Sequence, residues 1–250
     1  FRSQSPADPV PMAVQPSQQK EETLVREFFG GARNGFFVEV GANHPILRSQ
    51  TYHLEQTGWT GVLIEPQPDL AAFLVTQRQA KVFAVACTSP NTAGDALPFH
   101  VAGPLSSLNA ERMAPGAKAD YVIMVPTRTL DDVLEEADAP RGFDLLSIDV
   151  EGHEIEVMRG FDFAHWKPRL IMLEDHVENL SKHRVLEQNG YSLVRRIGNN
   201  GWYVPRDSKI DISLRDRWEI LRKYHLALPF RVLRNFLRRV RRSLNEMGDR

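Results

Sequence analysis

Four short stretches of this chain could do chemistry, and each closes an apolar run. Glu39-Val40-Gly41-Ala42-Asn43 follows Phe36-Phe37-Val38, and Glu65-Pro66 follows Gly61-Val62-Leu63-Ile64. Asp149, Glu151, His153 and Glu154 end a third apolar run, and Glu174, Asp175 and His176 a fourth. Glycine at a strand end permits a tight turn and a close approach of bare backbone to a ligand. A carboxylate at the end of the next strand can accept hydrogen bonds from both hydroxyls of a ribose. Gly41 and Glu65 together therefore point to a cofactor that contains a nucleoside. Taken singly, Gly41 reads as a turn and Glu65 as a solvated carboxylate.

The turn narrows the cofactor class. A pyrophosphate needs G-x-G-x-x-G, so that backbone N–H groups can cradle it at a helix N-terminus. Here Gly41 is followed by Ala42, Asn43, His44, Pro45 and Ile46, without the later glycines, and no G-x-x-x-x-G-K-[ST] loop exists. A nucleoside without a phosphate fits better, and S-adenosylmethionine is the common one. Glu39 then helps anchor the ammonium end of the methionine part, directly or through water. Ala86 and Cys87, with Thr88, follow the third strand, where an adenine ring would lie.

The acidic stretches suit the other half of a methyl transfer. An alcohol is a poor nucleophile at neutral pH. The oxygen must be aligned with the methyl group and lose its proton near the transition state. A histidine can take that proton. The candidates are His176, which directly follows a strand end, and His153, with Asp149 and Glu151 completing a catalytic set. Alternatively Asp149, Glu174 and Asp175 hold a divalent cation such as magnesium, which lowers the hydroxyl pKa. The bland reading has Glu151 and Glu154 serving only the first turn of the next helix, where negative charge is favourable. Ser106-Ser107-Leu108 reads as part of a lid or substrate wall. Ser49, Tyr52 and His53 lie where a substrate or the methionine part could be touched.

Strands alternating with helices must position these groups. Residues 21 to 29 have helical spacing, and Phe36 to Val40 form a first buried strand. A helix over Gln50 to Gln56 precedes a strand over Gly61 to Glu65, and a helix over Asp69 to Gln79 precedes a strand over Lys81 to Ala86. Residues 97–102 and 121–126 read as an antiparallel excursion, and Leu130 to Ala137 as a helix with Thr129 as its N-cap. Phe143 to Val150 is a fourth strand, Glu154 to Arg159 a helix, Arg169 to Glu174 a fifth strand and Ser181 to Asn189 a helix. Tyr191 to Ile197 and Trp202 to Pro205 flank Gly198-Asn199-Asn200-Gly201, a hairpin signature. The fold class is α/β, a mostly parallel sheet with helices on both faces and a C-terminal antiparallel hairpin.

Composition sets the outer limits. The chain has 250 residues and a net charge of -1, so it is no polycation built to coat nucleic acid. Its single cysteine, Cys87, excludes an intrachain disulfide and a cysteine-clustered zinc site. The N-terminus lacks a signal-peptide pattern and no apolar run reaches the roughly 18 residues of a membrane span. A cytoplasmic location follows as the expectation. Residues 1–19, with Pro6, Pro9, Pro11 and Pro16, read as a mobile arm without helix. Residues 20–225 form the main domain. Residues 226–250 read as a basic amphipathic helix in which Phe230, Leu233, Leu237, Val240 and Leu244 make a stripe among seven arginines. Over 230–244 it can meet an anionic membrane, another subunit or its own domain, and oligomerisation stays open.

At this point the chain resembles the FkbM family of S-adenosylmethionine-dependent methyltransferases, over roughly residues 17–205. The likeness rests on Ser17-Gln18 with Glu21-Glu22, Phe37 to Asn43, Thr51 to Glu55, Gly58-Trp59, Gly61 to Pro66, Thr129 to Asp132, and Asp144 to Glu154. It implies a Rossmann-like class I methyltransferase fold with a seven-stranded sheet. It also implies O-methylation of a sugar, glycan or glycosylated metabolite. Two positions depart from the family pattern: Pro45 and Lys20 stand where glycine is usual. Two other readings remain: a nicotinamide-dependent oxidoreductase on a similar sheet, and a non-catalytic module of this fold that recruits a partner or membrane through its basic tail.

Overall fold

A computed structural model of the chain describes residues 16–109, 119–210 and 212–234. In chain order it runs α1 (Pro16–Phe28), β1 (Phe36–Val40), α2 (Tyr52–Glu55), β2 (Thr60–Ile64), α3 (Pro68–Gln77), β3 (Lys81–Phe83), β4 (Ala86–Cys87), β5 (Ala96–Val101) and β6 (Tyr121–Arg128). It continues through α4 (Leu130–Glu136), β7 (Leu145–Ile148), α5 (Glu154–Arg159), α6 (Phe163–Trp166), β8 (Leu170–Glu174), α7 (Ser181–Gln188), β9 (Tyr191–Ile197), β10 (Asn200–Pro205) and α8 (Leu214–Ile220), then a π-helical turn over Leu221–Leu226. Residues 228–234 are helical again.

Seven strands form one sheet in the order β3-β2-β1-β7-β8-β10-β9. Neighbours from β3 to β8 are parallel, and β10 is antiparallel to both β8 and β9. This is the expected seven-stranded, mostly parallel α/β sheet with its C-terminal antiparallel hairpin. The central strands are buried on both faces, which is why they read as continuous apolar runs. Successive side chains of β1 go to opposite sides. Phe37 joins Val25 of α1, Phe29 just beyond it, Leu54 and Leu74. Val38 and Val40 join Val133 and Leu134 of α4, Val157 and Leu186. The chain leaves β1 toward β2 on one side and returns at β7 on the other. The carboxyl ends of β1 and β7 thus flank the switch point where ligands of such sheets bind.

Several boundaries differ from the sequence expectation. Helix α1 already starts at Pro16, so the expected helix-free arm ends earlier. A proline is tolerated in the first helical turn, where its missing N–H has no partner to lose. Residues 1–15 lie outside the described residues. The expected third strand is two pieces: Lys81–Phe83 pairs with β2, whereas Ala86–Cys87 turns away and pairs with Thr127 and Arg128 of β6. The antiparallel excursion is the β5–β6 pair, and with β4 it makes a second, three-stranded sheet. Helix α6 went unread; Asp162 caps it by accepting from Ala164 N and His165 N. Thr129 caps α4 in a full capping box with Asp132, as expected. The boundary drawn at 225/226 falls inside the π-helical turn, and 235–250 lie outside the described residues. Among the described residues no helix is long and apolar enough to cross a membrane.

Gly61 shows how closely β1 and β2 are fitted. A Cβ there would lie 2.3 Å from the Phe37 carbonyl oxygen and 2.5 Å from its ring. Gly61→Ala should cost about 1–3 kcal/mol through overpacking, measured by equilibrium denaturation. An unchanged midpoint would show that the two strands are free to part.

Candidate active site

The cavity is built outward from the end of β1. Gly41 takes φ +87, and a Cβ on it would sit 1.9 Å from the Asp149 carbonyl oxygen. The N–H groups of Gly41 and Ala42 both donate to Ile64 O, at 2.9 and 3.1 Å. The turn is therefore stapled between the ends of β2 and β7. Asn43 follows at φ +49, the left-handed region that asparagine tolerates better than most residues. Its N–H donates to Glu65 Oε2 at 2.8 Å, while Gln67 N–H donates to Oε1 at 2.9 Å. Burial pushes the Glu65 carboxyl up to about 7, against the pull of these two donors.

Glu39 has a different task from the expected one. It is buried and does not line the cavity. Its Oε1 accepts from Gln50 N–H at 2.8 Å, and its Oε2 accepts from the hydroxyls of Ser49 and Thr51. All that acceptor capacity faces the segment after the turn, so Glu39 shapes the loop and stays off the cavity wall. Arg78 completes this knot from α3's C-cap. It pairs with Glu55 at 2.5 Å and donates to Pro45 O, Ser49 Oγ and Thr51 Oγ1. Its guanidinium also lies 5.5 Å from the Tyr52 ring centre and 5.8 Å from that of Phe37. Pro45, at the unusual position, is thus held by its carbonyl. His44 Nδ1 accepts from Ile46 N–H and Leu47 N–H and closes the bend. His53 points elsewhere: both ring nitrogens are buried without a hydrogen-bond partner, and burial, then Arg26 and Arg78, take its pKa down to about 4.

A cavity of about 430 Å³ opens between the large sheet and the small one, within the size range of small-molecule sites. One end is apolar, walled by Ile64, Leu70, Val85, Ala86, Cys87 and Phe99. Burial drives the Cys87 thiol up to about 12, so it packs as a small apolar group, as expected. The middle carries Asn43, Glu65, Gln50 and Arg48. The far end carries Asp149, Glu151 and Glu174 with Glu21 and the loop 198–200, while His153 lines the wall beside Thr88.

The far end concentrates negative charge. Asp149 N–H donates to Val40 O at 3.0 Å. Its carboxyl is raised well above the usual range, through burial first and then Glu174 and Glu151. Glu151 sits at φ +50, with its carbonyl accepting from Ser107 Oγ at 2.8 Å. Burial, then Glu174 and Glu154, raise the Glu151 carboxyl to about 7, while Lys182 and Arg48 pull it back. Glu154 is fully buried and accepts from Gly152 N–H. Lys182 lies 2.7 Å from its other oxygen, off hydrogen-bond alignment, so that contact is electrostatic. The same ammonium donates to Glu174 O.

The two histidines separate. His153 lines the cavity at the N-cap of α5, with Nε2 3.1 Å from Thr88 Oγ1, and burial lowers its pKa. His176 is half-exposed outside the cavity wall, 3.5 Å from Glu174 Oε1. The expected metal set also comes apart. Asp175 points away from the cavity: its Oδ1 accepts from Val177 N–H and its Oδ2 from the Tyr224 hydroxyl. Successive residues leaving a strand face opposite sides, so Glu174 and Asp175 cannot both reach one ion with Asp149. The described groups whose donor atoms lie within 4.8 Å of one another are Glu151, Glu174 and His176.

Sequence reasoning missed four contributors. Arg48, at φ +63, is the only Arg or Lys among the described cavity-lining residues. Phe99 comes from the small sheet. Glu21 of α1 is buried at the wall, accepting from Asn200 Nδ2 at 2.9 Å and Trp202 Nε1 at 3.1 Å. Gly198, Asn199 and Asn200 read only as a turn. Ser106 and Leu108 do line the cavity, as expected.

A family model described as the methyltransferase FkbM domain matches residues 39–193. No curated protein matches the chain. Among solved structures, a precorrin-6Y C5,15-methyltransferase from Geobacter metallireducens GS-15 aligns over 77% of this chain and 91% of its own, at 12% identity and a TM-score of 0.36. The catalytic domain of hMettl16, solved with the MAT2A 3′UTR hairpin 6, aligns over 81% of this chain and 74% of its own, at 13% identity and a TM-score of 0.35.

Removing the guanidinium would strand two buried carboxylates, Glu39 and Glu55. Arg78→Met should therefore cost about 3–5 kcal/mol in unfolding free energy. Adding Glu55→Gln to that variant should recover part of the loss. Additive losses in a double-mutant cycle would show that the pair is not coupled.

Proposed function

The chain belongs to the methyltransferase FkbM domain family, and from that premise we propose that it moves the methyl group of S-adenosylmethionine to a hydroxyl oxygen of a sugar or other polyhydroxylated acceptor. The observation that carries this reading is one cavity with a ribose-ready carboxylate in the middle and a cluster of acids at the far end, one of them tuned to about 7. The residues fit the cofactor. Gly41 leaves room that a Cβ would fill. Glu65 is a buried carboxyl that two hydroxyl donors would relieve. The apolar end around Ala86 and Phe99 suits a purine, and Arg48 offers a cation for the methionyl carboxylate. When bound, the cofactor supplies a methyl group activated by a positively charged sulfur.

The chain's own residues do the rest. Glu151 is the best-placed base: it lines the cavity, and a carboxyl near 7 accepts a proton more readily than an ordinary carboxylate. Burial and the neighbouring acids Glu174 and Glu151 favour the neutral form of the Asp149 carboxyl. Glu21, Asn199 and Asn200 line the acceptor side with groups that bind hydroxyls. Ser107, bridged to His100 of β5, holds the Glu151 backbone, so the segment beside the small sheet positions the base. Family membership sets aside the nicotinamide reading, and a carboxyl poised near neutrality favours catalysis over a passive module.

The direct test is transfer of labelled methyl from S-adenosylmethionine to a panel of sugars and glycosides, with the product mapped by NMR. Methylation at nitrogen, or no binding of S-adenosylmethionine by folded protein, would sink the reading. The Glu151 carboxyl is deprotonated above its pKa, so kcat/KM should rise with pH through about 7 and then level. Glu151→Gln should abolish that limb and lower kcat by about 100- to 10,000-fold. His176→Ala should leave turnover nearly unchanged, and a large loss there would return the base to the histidine. For Arg48, calorimetry should show decarboxylated S-adenosylmethionine binding about tenfold more weakly than the intact cofactor. Arg48→Ala should bind the two alike; retained discrimination would place the carboxylate elsewhere.

A further inference from the structure

The segment from α8 to residue 234 has two unlike faces. Ile220, Tyr224 and Leu228 turn inward and pack on the core that covers one side of the large sheet. Tyr224 is tied down further by Asp175 Oδ2 at 3.2 Å and Arg196 Nη1 at 3.1 Å. The other face is exposed and apolar: Leu214 is 84% exposed, Trp218 58% and Phe230 76%, with Leu221, Leu226 and Leu233 also exposed.

The π-helical turn keeps this stripe together. Leu221 and Leu226 are five residues apart, a step that an α-helix would carry about 140° around its axis. A turn closed by bonds five residues apart brings them back to nearly the same side. The bond from Ala227 N–H to Arg222 O at 2.9 Å is one of these. Leu214, Trp218 and Leu221 are thereby continued by Leu226, Phe230 and Leu233. Exposed apolar groups in such a continuous run mark a docking surface.

Charge chooses the occupant. Residues 214–234 carry Arg215, Arg217, Arg222, Lys223, Arg231 and Arg234 against Asp216 and Glu219, a net charge of +4. Glu219 is already paired by Arg222 and Lys223. Residues 235–250 add a further +3, so 214–250 is +7 while the remainder of the chain is -8. Two such faces would repel each other in a symmetric contact between copies. A flat anionic surface that also accepts apolar side chains satisfies both properties. We propose that the outward face of residues 214–234 docks the protein on the surface of a bilayer rich in anionic phospholipid, with Leu214, Trp218 and Phe230 inserted among the acyl chains. The fold stays outside the membrane, anchored to this segment through Tyr224.

Vesicle flotation of the full chain tests this. The protein should float with vesicles of phosphatidylcholine mixed with phosphatidylglycerol. It should stay behind with phosphatidylcholine alone, and it should release as salt rises. Trp59, Trp166 and Trp202 are buried, so a blue shift of tryptophan emission on binding reports Trp218. A variant carrying Leu214→Ser, Trp218→Ser and Phe230→Ser should keep its melting temperature, because these side chains lie in solvent, and bind more than about tenfold more weakly. Failure to float with anionic vesicles would overturn the proposal. So would unchanged binding by the triple variant, or a dimer in light scattering that the triple variant dissociates.

Discussion

A single buried guanidinium sustains the rim of the cavity. Arg78 leaves water entirely, which is costly for a charge unless every donor finds a partner. Glu55, Pro45, Ser49 and Thr51 supply those partners, and two aromatic rings flank it. Glu39 closes the knot from the other side through Ser49, Gln50 and Thr51. The loop after Gly41 therefore keeps its shape without the glycines of a phosphate-binding turn. That loop brings Asn43 to Glu65 and Arg48 to the cavity.

The charges of the site are graded by the same economy. Glu154 has its own cation in Lys182, which also reaches the Glu174 carbonyl. Asp149, Glu151 and Glu174 have less compensation, so burial and mutual repulsion raise Asp149 and Glu151. Such crowding costs stability in the free protein. It also makes an acidic pocket that favours a ligand carrying positive charge. Glu65, further along the wall, is raised by burial alone, against two backbone donors. Two carboxyls near 7 thus share burial as their first cause, and Glu151 alone adds the repulsion of neighbouring acids.

The end of β8 couples the two sides of the molecule. Glu174 turns into the cavity and Asp175 turns out, where Tyr224 and Arg196 meet it. The segment that presents the exposed apolar stripe is therefore fastened one residue away from the acid cluster. The hairpin loop that faces the cavity lies beside the same point, since Asp175 N–H donates to Asn199 O.

The sequence by itself determined the sheet, its switch point and the cofactor turn. Those depend on short-range patterns: apolar runs of strand length, a glycine where φ must be positive, an N-cap at Thr129, a Gly-Asn-Asn-Gly hairpin turn. It also placed Glu65, Asp149 and Glu151 at the carboxyl ends of strands, and the structure brings them to one cavity. What only the tertiary structure decided was the direction each polar group faces. Glu39 and Asp175 look like site residues because they adjoin them, yet both point away, since alternation along a strand sends neighbours to opposite faces. Arg48, Phe99 and Glu21 carry no local motif; they enter the cavity because a buried knot, a second sheet and the first helix deliver them there. Of the outward stripe of 214–234 only Phe230 and Leu233 were legible; the phase that joins them to Leu214, Trp218 and Leu221 depends on a π-helical turn whose Tyr224 meets partners distant in the chain.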